Sequence, residues 1–317
     1  MSKNVPWSLA AVLSSVAWAA TASAAVLVND TWIDGQRTDP AAPTYSEAGV
    51  DIDADGDLES VWYNGGASTM TTSAGHLNKD LTGTSANWTT YFVPEGSEVA
   101  LANNGDMLRV TWTFTLTGVA AANTGQNFRM GLVDSSTAQR LAADGTPPSG
   151  TALAPYSGYA IFANMGVTLG NNSPFVVKER VAQGGSNSIL GTAADWAEAA
   201  LTGTVNGAAS GNDGFDAATP YTLVWELTRN GAGIDIRATM SGLGYNNSGV
   251  GTIAANDANG NGFTFDTFNV RPSSEAATAS VFDTTLFRVE FIGVPEPASA
   301  ALLGLASLGL LAGRRRR

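Results

Sequence analysis

The stretch MLRVTWTFTLTG, residues 107–118, decides the fold class. Leu108, Val110, Trp112, Phe114 and Leu116 alternate with Arg109, Thr111, Thr113 and Thr115, the two-residue period of a strand with one buried face. A second alternating run, Tyr221, Leu223, Trp225 and Leu227, is followed by Arg229-Asn230-Gly231. That turn leads into Ile234, Ile236, Ala238 and Met240, which predicts a hairpin. Further runs at 60–63, 89–93, 127–134, 158–164, 175–181, 263–270 and 284–292 bring the expected strands to at least ten. Short strands in this number find their simplest home in an all-β sandwich of two antiparallel sheets. Helix is expected only as a short piece around 193–200.

Composition agrees with this pattern. The 317 residues include 36 glycines and no cysteine, so the turns are well supplied and the core must hold the fold without disulfides. Subtracting Lys3 and Arg314–Arg317 from the 16 basic residues leaves 11 between Ala25 and Pro297, against all 28 acidic ones, a net charge of −17. Such a surface repels nucleic acid and anionic lipid and attracts divalent cations, so no nucleic-acid partner is expected. The loop-like stretches 146–150 and 205–216 interrupt strands without a change of composition. One domain over 25–293 is therefore expected, and no repeat of fixed period is present.

The two ends read differently from the body. Lys3, the apolar stretch 5–20 and the small residues Thr21-Ala22-Ser23-Ala24 make 1–24 a secretory signal peptide, with signal peptidase expected to cut after Ala24. At the other end, residues 294–317 read VPEPASAALLGLASLGLLAGRRRR. Pro295 and Pro297 hold Glu296 extended, where a processing enzyme can grip it. Residues 298–313 are uncharged and apolar all round. At 1.5 Å per residue they form a helix of about 24 Å, short of a hydrocarbon core of about 30 Å. Arg314, Arg315, Arg316 and Arg317 make up part of the shortfall by snorkelling and place their end in the cytoplasm. The helix is thus a membrane anchor for the unprocessed chain.

These three parts in this order resemble the PEP-CTERM signal of exported proteins in Gram-negative bacteria, with Pro295, Glu296 and Pro297 as the motif. The resemblance implies cutting by an exosortase-type enzyme, a precursor tethered to the inner membrane, and delivery to the cell surface or the extracellular matrix. A looser resemblance rests on DTWIDGQRTDP (30–40), FRMGLVDSS (128–136) and FDTFNVRPSSEAATASVFDTTLFRVEF (265–291). These look like segments of exported PEP-CTERM proteins with a concanavalin-like or laminin-G-like jelly roll, which implies a fold and fixes no activity.

Four sets of residues carry candidate chemistry. Asp51, Asp53, Asp55 and Asp57, with Gly56 to turn the chain, follow the D-x-D-x-D-G pattern that converges oxygens on calcium. The last position of an EF-hand loop is Trp62 here instead of Glu, so the stretch reads either as a structural calcium loop outside that motif or as a solvated acidic loop. A fainter version at 257–262, with Thr264 and Asp266 beyond, reads better as an Asn-Gly turn. The single histidine, His76, has no partners for a triad and reads as a surface turn residue. Glu226 and Asp235 are the residues a jelly-roll glycoside hydrolase would have to use, but the compact E-x-D-x-x-E strand motif of such enzymes is missing.

Carbohydrate binding without catalysis asks for less. Trp62, Tyr63, Trp88, Tyr156, Tyr159, Trp196 and Tyr245 are the aromatics available to stack on sugars, with one or two expected at the surface. Tyr245, Asn246 and Asn247 are the first choice for a contact. The sequence thus favours a non-enzymatic exported protein with a carbohydrate-binding-like sandwich. The alternatives are a purely structural matrix protein and, behind it, a glycosidase. No cofactor is called for by any motif, and a structural calcium ion is the one candidate.

Overall fold

The computed structural model describes residues 23–65, 68–81, 86–135, 140–145, 156–182 and 189–294. The tail motif Pro295–Pro297, the membrane helix 298–313, Arg314–Arg317, the loop 146–150 and all but the last two residues of the signal segment lie outside them. Among the described residues no helix is long and apolar enough to cross a membrane.

The strands run β1 (Ser23–Asp30), β2 (Trp62–Gly65), β3 (Met70–Ser73), β4 (His76–Asp80), β5 (Asn87–Tyr91) and β6 (Val99–Ala100). They continue with β7 (Met107–Thr117), β8 (Phe128–Asp134), β9 (Ser157–Ala163), β10 (Phe175–Arg180), β11 (Trp196–Ala197) and β12 (Leu201–Thr204). The chain ends with β13 (Pro220–Asn230), β14 (Gly233–Gly242), β15 (Val250–Asp257), β16 (Thr264–Phe265), β17 (Thr267–Pro272) and β18 (Val281–Gly293). A nine-stranded sheet has the order β12-β15-β14-β13-β7-β18-β4-β3, with β1 also on β18. A seven-stranded sheet has the order β11-β10-β9-β8-β17-β5-β2, and β16 pairs with β6. Successive strands in both orders pair antiparallel, which makes Ala24–Gly293 an antiparallel two-sheet sandwich.

Each long alternating run became a strand for the expected reason. In β7 the five apolar residues are buried and the threonines between them half-exposed. The hairpin β13–β14 closes where expected, pairing Asn230 with Gly233 around Gly231 at φ +64°. The short helical piece is a single 3-10 turn, Ala193–Asp195, and the chain becomes β11 at Trp196.

β18 breaks the simple alternation. Its register on β7 shifts between Thr284 and Leu286, a β-bulge. The extra residue changes the phase, so that Phe282 and Thr284 before it and Phe287 and Val289 after it all face inward. Thr284 then meets Trp112, whose Nε1–H donates to Thr284 Oγ1 at 3.1 Å in the core.

Trp112 is the centre of that core. Its ring stacks on Phe114 at 4.2 Å and on Phe282 at 6.4 Å within its own sheet. It meets Phe128, Phe268 and Trp88 of the opposite sheet at 6.1, 5.7 and 6.4 Å. Replacing Trp112 with Ala should lower unfolding free energy by about 3–5 kcal/mol. Thr284→Val removes only the indole's acceptor and should cost about 1–3 kcal/mol. Urea unfolding of Ala25–Gly293 checks both.

Candidate metal centre

Three segments that are separate in sequence meet near the end of β1. Asn29 N–H donates to Leu58 O at 2.7 Å, and Glu47 N–H donates to Glu59 O at 3.1 Å. These contacts lay residues 30–34 and 47–50 against the acidic loop 51–59. Within the loop, Asp51 Oδ1 accepts from Ala54 N–H at 2.7 Å, and Asp55 Oδ1 from Asp57 N–H at 3.1 Å. Successive aspartate turns of this kind need left-handed backbone, found at Ala54 (φ +65°) and Gly56 (φ +106°). The glycine is required there because only it adopts so open a positive φ without strain.

The carboxylates gathered in this way fall into three sets. Asp34, Asp55 and Glu59 offer oxygens within 4.8 Å of one another, as do Asp39, Asp53 and Glu59, and Glu47, Asp51 and Asp53. That separation matches oxygens sharing one calcium ion at about 2.4 Å each. Asp51, Asp53 and Asp55 thus stand in the sets, whereas Asp57 does not. Asp57 is 4 % exposed, and its Oδ2 accepts from Thr31 N–H at 2.9 Å and from Thr31 Oγ1–H at 3.0 Å. Its Oδ1 is buried with no hydrogen-bond partner, and so is Asp55 Oδ2. A buried carboxylate oxygen without a donor is costly unless a cation takes that place.

Electrostatics point the same way. Among the described residues, no basic side chain forms an ion pair with these carboxylates. Burial, reinforced by the charges of Asp34, Asp30, Asp55 and Asp57, pushes Glu59 up to about 9. Burial also raises Asp55 to about 6, with Asp57 and Asp53 adding to it, and holds Asp30 well above the usual carboxylate range. The fold therefore concentrates like charge in a place where only protons or a cation can neutralise it.

Sequence spacing suggested the aspartates of the loop, with Glu59 just beyond them, and missed Glu47, Asp34 and Asp39 as partners. Asp34 and Asp39 lie in DTWIDGQRTDP, with no local pattern to tie them to a loop some 20 residues later. Only the pairing of Asn29 with Leu58 does so.

The remaining sequence candidates are settled by burial and hydrogen bonding. Tyr245 is fully buried against Phe215, Tyr221 and Phe175, and cannot stack on a sugar. Asn246 Oδ1 accepts from Ala209 N–H at 3.0 Å and Asn212 Nδ2–H at 2.8 Å, while Asn247 Oδ1 accepts from Asp213 N–H at 2.7 Å. Both amides clamp the 209–213 loop, and the burial of Tyr245 corrects the expectation that its ring stacks on a ligand. Trp62, Tyr63, Trp88, Tyr156, Tyr159 and Trp196 are likewise buried, against the expectation that one or two would be exposed.

Glu226 is bound by Arg109 at 2.8 Å, and Asp235 accepts from Asn256 at 2.7 Å and Asn230 at 3.0 Å. His76 Nδ1 lies 2.9 Å from Asp283 on the surface. Asp257 accepts from Tyr159 Oη–H at 2.8 Å and Asn259 N–H at 3.1 Å, and Asp266 pairs with Arg140 at 2.9 Å, so the second acidic stretch forms no common site.

No curated protein sequence matches the chain. Solved structures of similar fold include peanut lectin with a nine-residue peptide, 8% identical over 74% of this chain and 92% of that one, with a TM-score of 0.41. The seed lectin of Lotus tetragonolobus is 10% identical over 74% and 94%, with a TM-score of 0.42. The exoplasmic/lumenal domain of VIP36 in its Ca2+/Man2-bound form is 8% identical over 76% and 85%, with a TM-score of 0.38. Residues 293–317 match the PEP-CTERM protein-sorting motif, and the C-terminal segment of this chain is a sorting signal of that class.

Proposed function

We propose that this is an exported, non-enzymatic protein of the cell surface or extracellular matrix, whose sandwich is completed by calcium bound among the carboxylates of residues 30–59. The sorting motif at 293–317 is the observation that carries the reading. Signal peptidase removes the N-terminal segment after Ala24. The precursor is then held in the inner membrane by helix 298–313 and Arg314–Arg317. An exosortase-type enzyme cuts near Pro295-Glu296-Pro297 and releases the domain to its destination. Calcium is supported by the convergent carboxylate sets and by the unpartnered oxygens of Asp55 and Asp57. Glu59, Asp55, Asp53 and Asp34 would supply the central oxygens. Millimolar extracellular calcium suits exposed sites of this kind.

Two roles for the sandwich follow. A carbohydrate-binding role would rest on carboxylates, amides and a bound cation, because every described Trp and Tyr side chain is buried. A structural matrix role needs no such contact, and the burial of the aromatics favours it. An array of polysaccharides probed with Ala25–Gly293, with calcium and with chelator, separates the two. Reproducible binding to one glycan class supports a lectin-like role, and silence in both conditions supports the matrix role.

Titration calorimetry should show calcium binding to Ala25–Gly293, abolished or weakened at least tenfold by Glu59→Gln with Asp55→Asn. No heat and no calcium-dependent melting shift would overturn the metal reading. The pH dependence follows from Glu59, whose carboxyl stands at about 9 in the folded state against 4.5 ordinarily. The metal-free folded protein then holds a proton that the unfolded chain has released. Its stabilising effect is full below the unfolded value and is lost as pH rises toward the folded one. In chelator, melting temperature should fall from about pH 5 to about pH 8, and added calcium should raise it most at the higher pH. Replacing Pro295-Glu296-Pro297 with alanines should leave a larger, membrane-held species on immunoblots of fractionated cells, whereas unchanged size and release would refute the sorting step.

A further inference from the structure

Lys79 lies in β4 of the nine-stranded sheet and is 1 % exposed. Its Nζ donates to Ser68 Oγ at 2.7 Å, to Ser68 O at 3.2 Å and to the side-chain Oδ1 of Asn64. Asn64 belongs to β2, the end strand of the seven-stranded sheet. This contact therefore joins the two sheets near one edge of the sandwich.

The Asn64 carboxamide is held in place. Its Nδ2 donates to Ser68 O at 2.7 Å, and its backbone N–H donates to Asp144 Oδ1 at 2.8 Å. Asp144 is fixed in turn by Arg37 at 2.6 Å, and Arg37 also donates to Trp62 O at 2.7 Å. The amide carbonyl thus accepts a hydrogen bond from an amine that is itself fixed, which holds Nζ beside the carboxamide.

All three acceptors around Lys79 Nζ are neutral, and no ion pair to it is present among the described residues. A buried ammonium satisfied only by neutral groups is a costly arrangement. Burial accordingly lowers the Lys79 amine to about 8, even though the charges of Asp144 and Asp80 act to raise it. The neutral, nucleophilic form is within reach at mildly alkaline pH. An amide in the same position would keep a donor for Ser68 and remove the buried charge.

We propose that Lys79 and Asn64 become joined by an intramolecular isopeptide bond. The neutral Nζ adds to Cγ of Asn64, and the new C–N bond forms as the Cγ–Nδ2 bond breaks. The departing nitrogen leaves with its electron pair, takes a proton from Nζ and is released as ammonia. Ser68 lies beside both nitrogens, its Oγ accepting from Nζ and its backbone O from Nδ2. The exchange consumes no oxidant and needs no other reactant. The product is a covalent tie between the two sheets of a chain that has no cysteine.

Intact-mass spectrometry of the purified, folded protein tests this. The expected mass is lighter than the sequence mass by one ammonia, and tryptic digestion should yield a branched peptide joining the Asn64 and Lys79 segments. Lys79→Arg and Asn64→Ala should each restore the sequence mass of the variant. Asn64 precedes Gly65, and closure of that pair to a succinimide would also release ammonia. A loss of ammonia that persists in Lys79→Arg would therefore overturn the proposal. So would a wild-type protein of full sequence mass that yields an unbranched Lys79 peptide.

Discussion

The packing of Trp112 between the sheets is the contact on which the sandwich depends. Its indole touches Phe114 and Phe282 beside it and Trp88, Phe128 and Phe268 across from it, so one side chain sets the spacing of β5, β7, β8, β17 and β18. The Trp112 indole N–H also has a partner in the core. That partner is Thr284, which faces inward just before the β18 bulge. The bulge thus serves aromatic packing and polar satisfaction at once, in a core that no disulfide supports.

At the end of β1 the same fold does something that costs stability. Pairing Asn29 with Leu58, and Glu47 with Glu59, is what brings the carboxylates together. Their charges raise the proton affinity of Glu59 and Asp55, and among the described residues no arginine or lysine forms an ion pair with them. Another buried carboxylate has a basic partner. Asp266 meets Arg140 deep in the core, with the guanidinium over the rings of Tyr45 and Tyr91. The contrast between an ion pair buried with its partner and a carboxylate cluster left without one is what singles out residues 30–59 as a place for a cation.

Much of the fold was legible in the sequence because burial on one sheet face imposes a two-residue period. The long strands β7, β13 and β14 show that period, and the runs at 127–134, 158–164 and 175–181 match the bounds of β8, β9 and β10 within a residue or two. β1, β3, β4 and β15 were not foreseen. Their sequences, such as HLNKD in β4 and VGTIAAND in β15, mix polar and small residues with too few apolar ones to show a period. They are strands because neighbours offer them hydrogen bonds. The site was half legible: the spaced aspartates of 51–57 announced a cation loop, whereas Glu47, Asp34 and Asp39 did not.

The aromatic residues mark the limit of reading composition. Tyr245 sits among glycines and asparagines, a setting that suggests a surface turn, yet its ring closes the core against Phe215 and Tyr221. Side-chain direction in irregular segments depends on the surfaces that the segment covers, and those come from distant strands. By itself the sequence determined the sheet architecture, the acidic surface and the sorting tail, because each rests on local period, charge or apolar length. Tertiary structure alone decided which carboxylates share a site, which aromatics are hidden and that Lys79 meets Asn64, because each of these depends on residues from different strands or loops arriving at the same point.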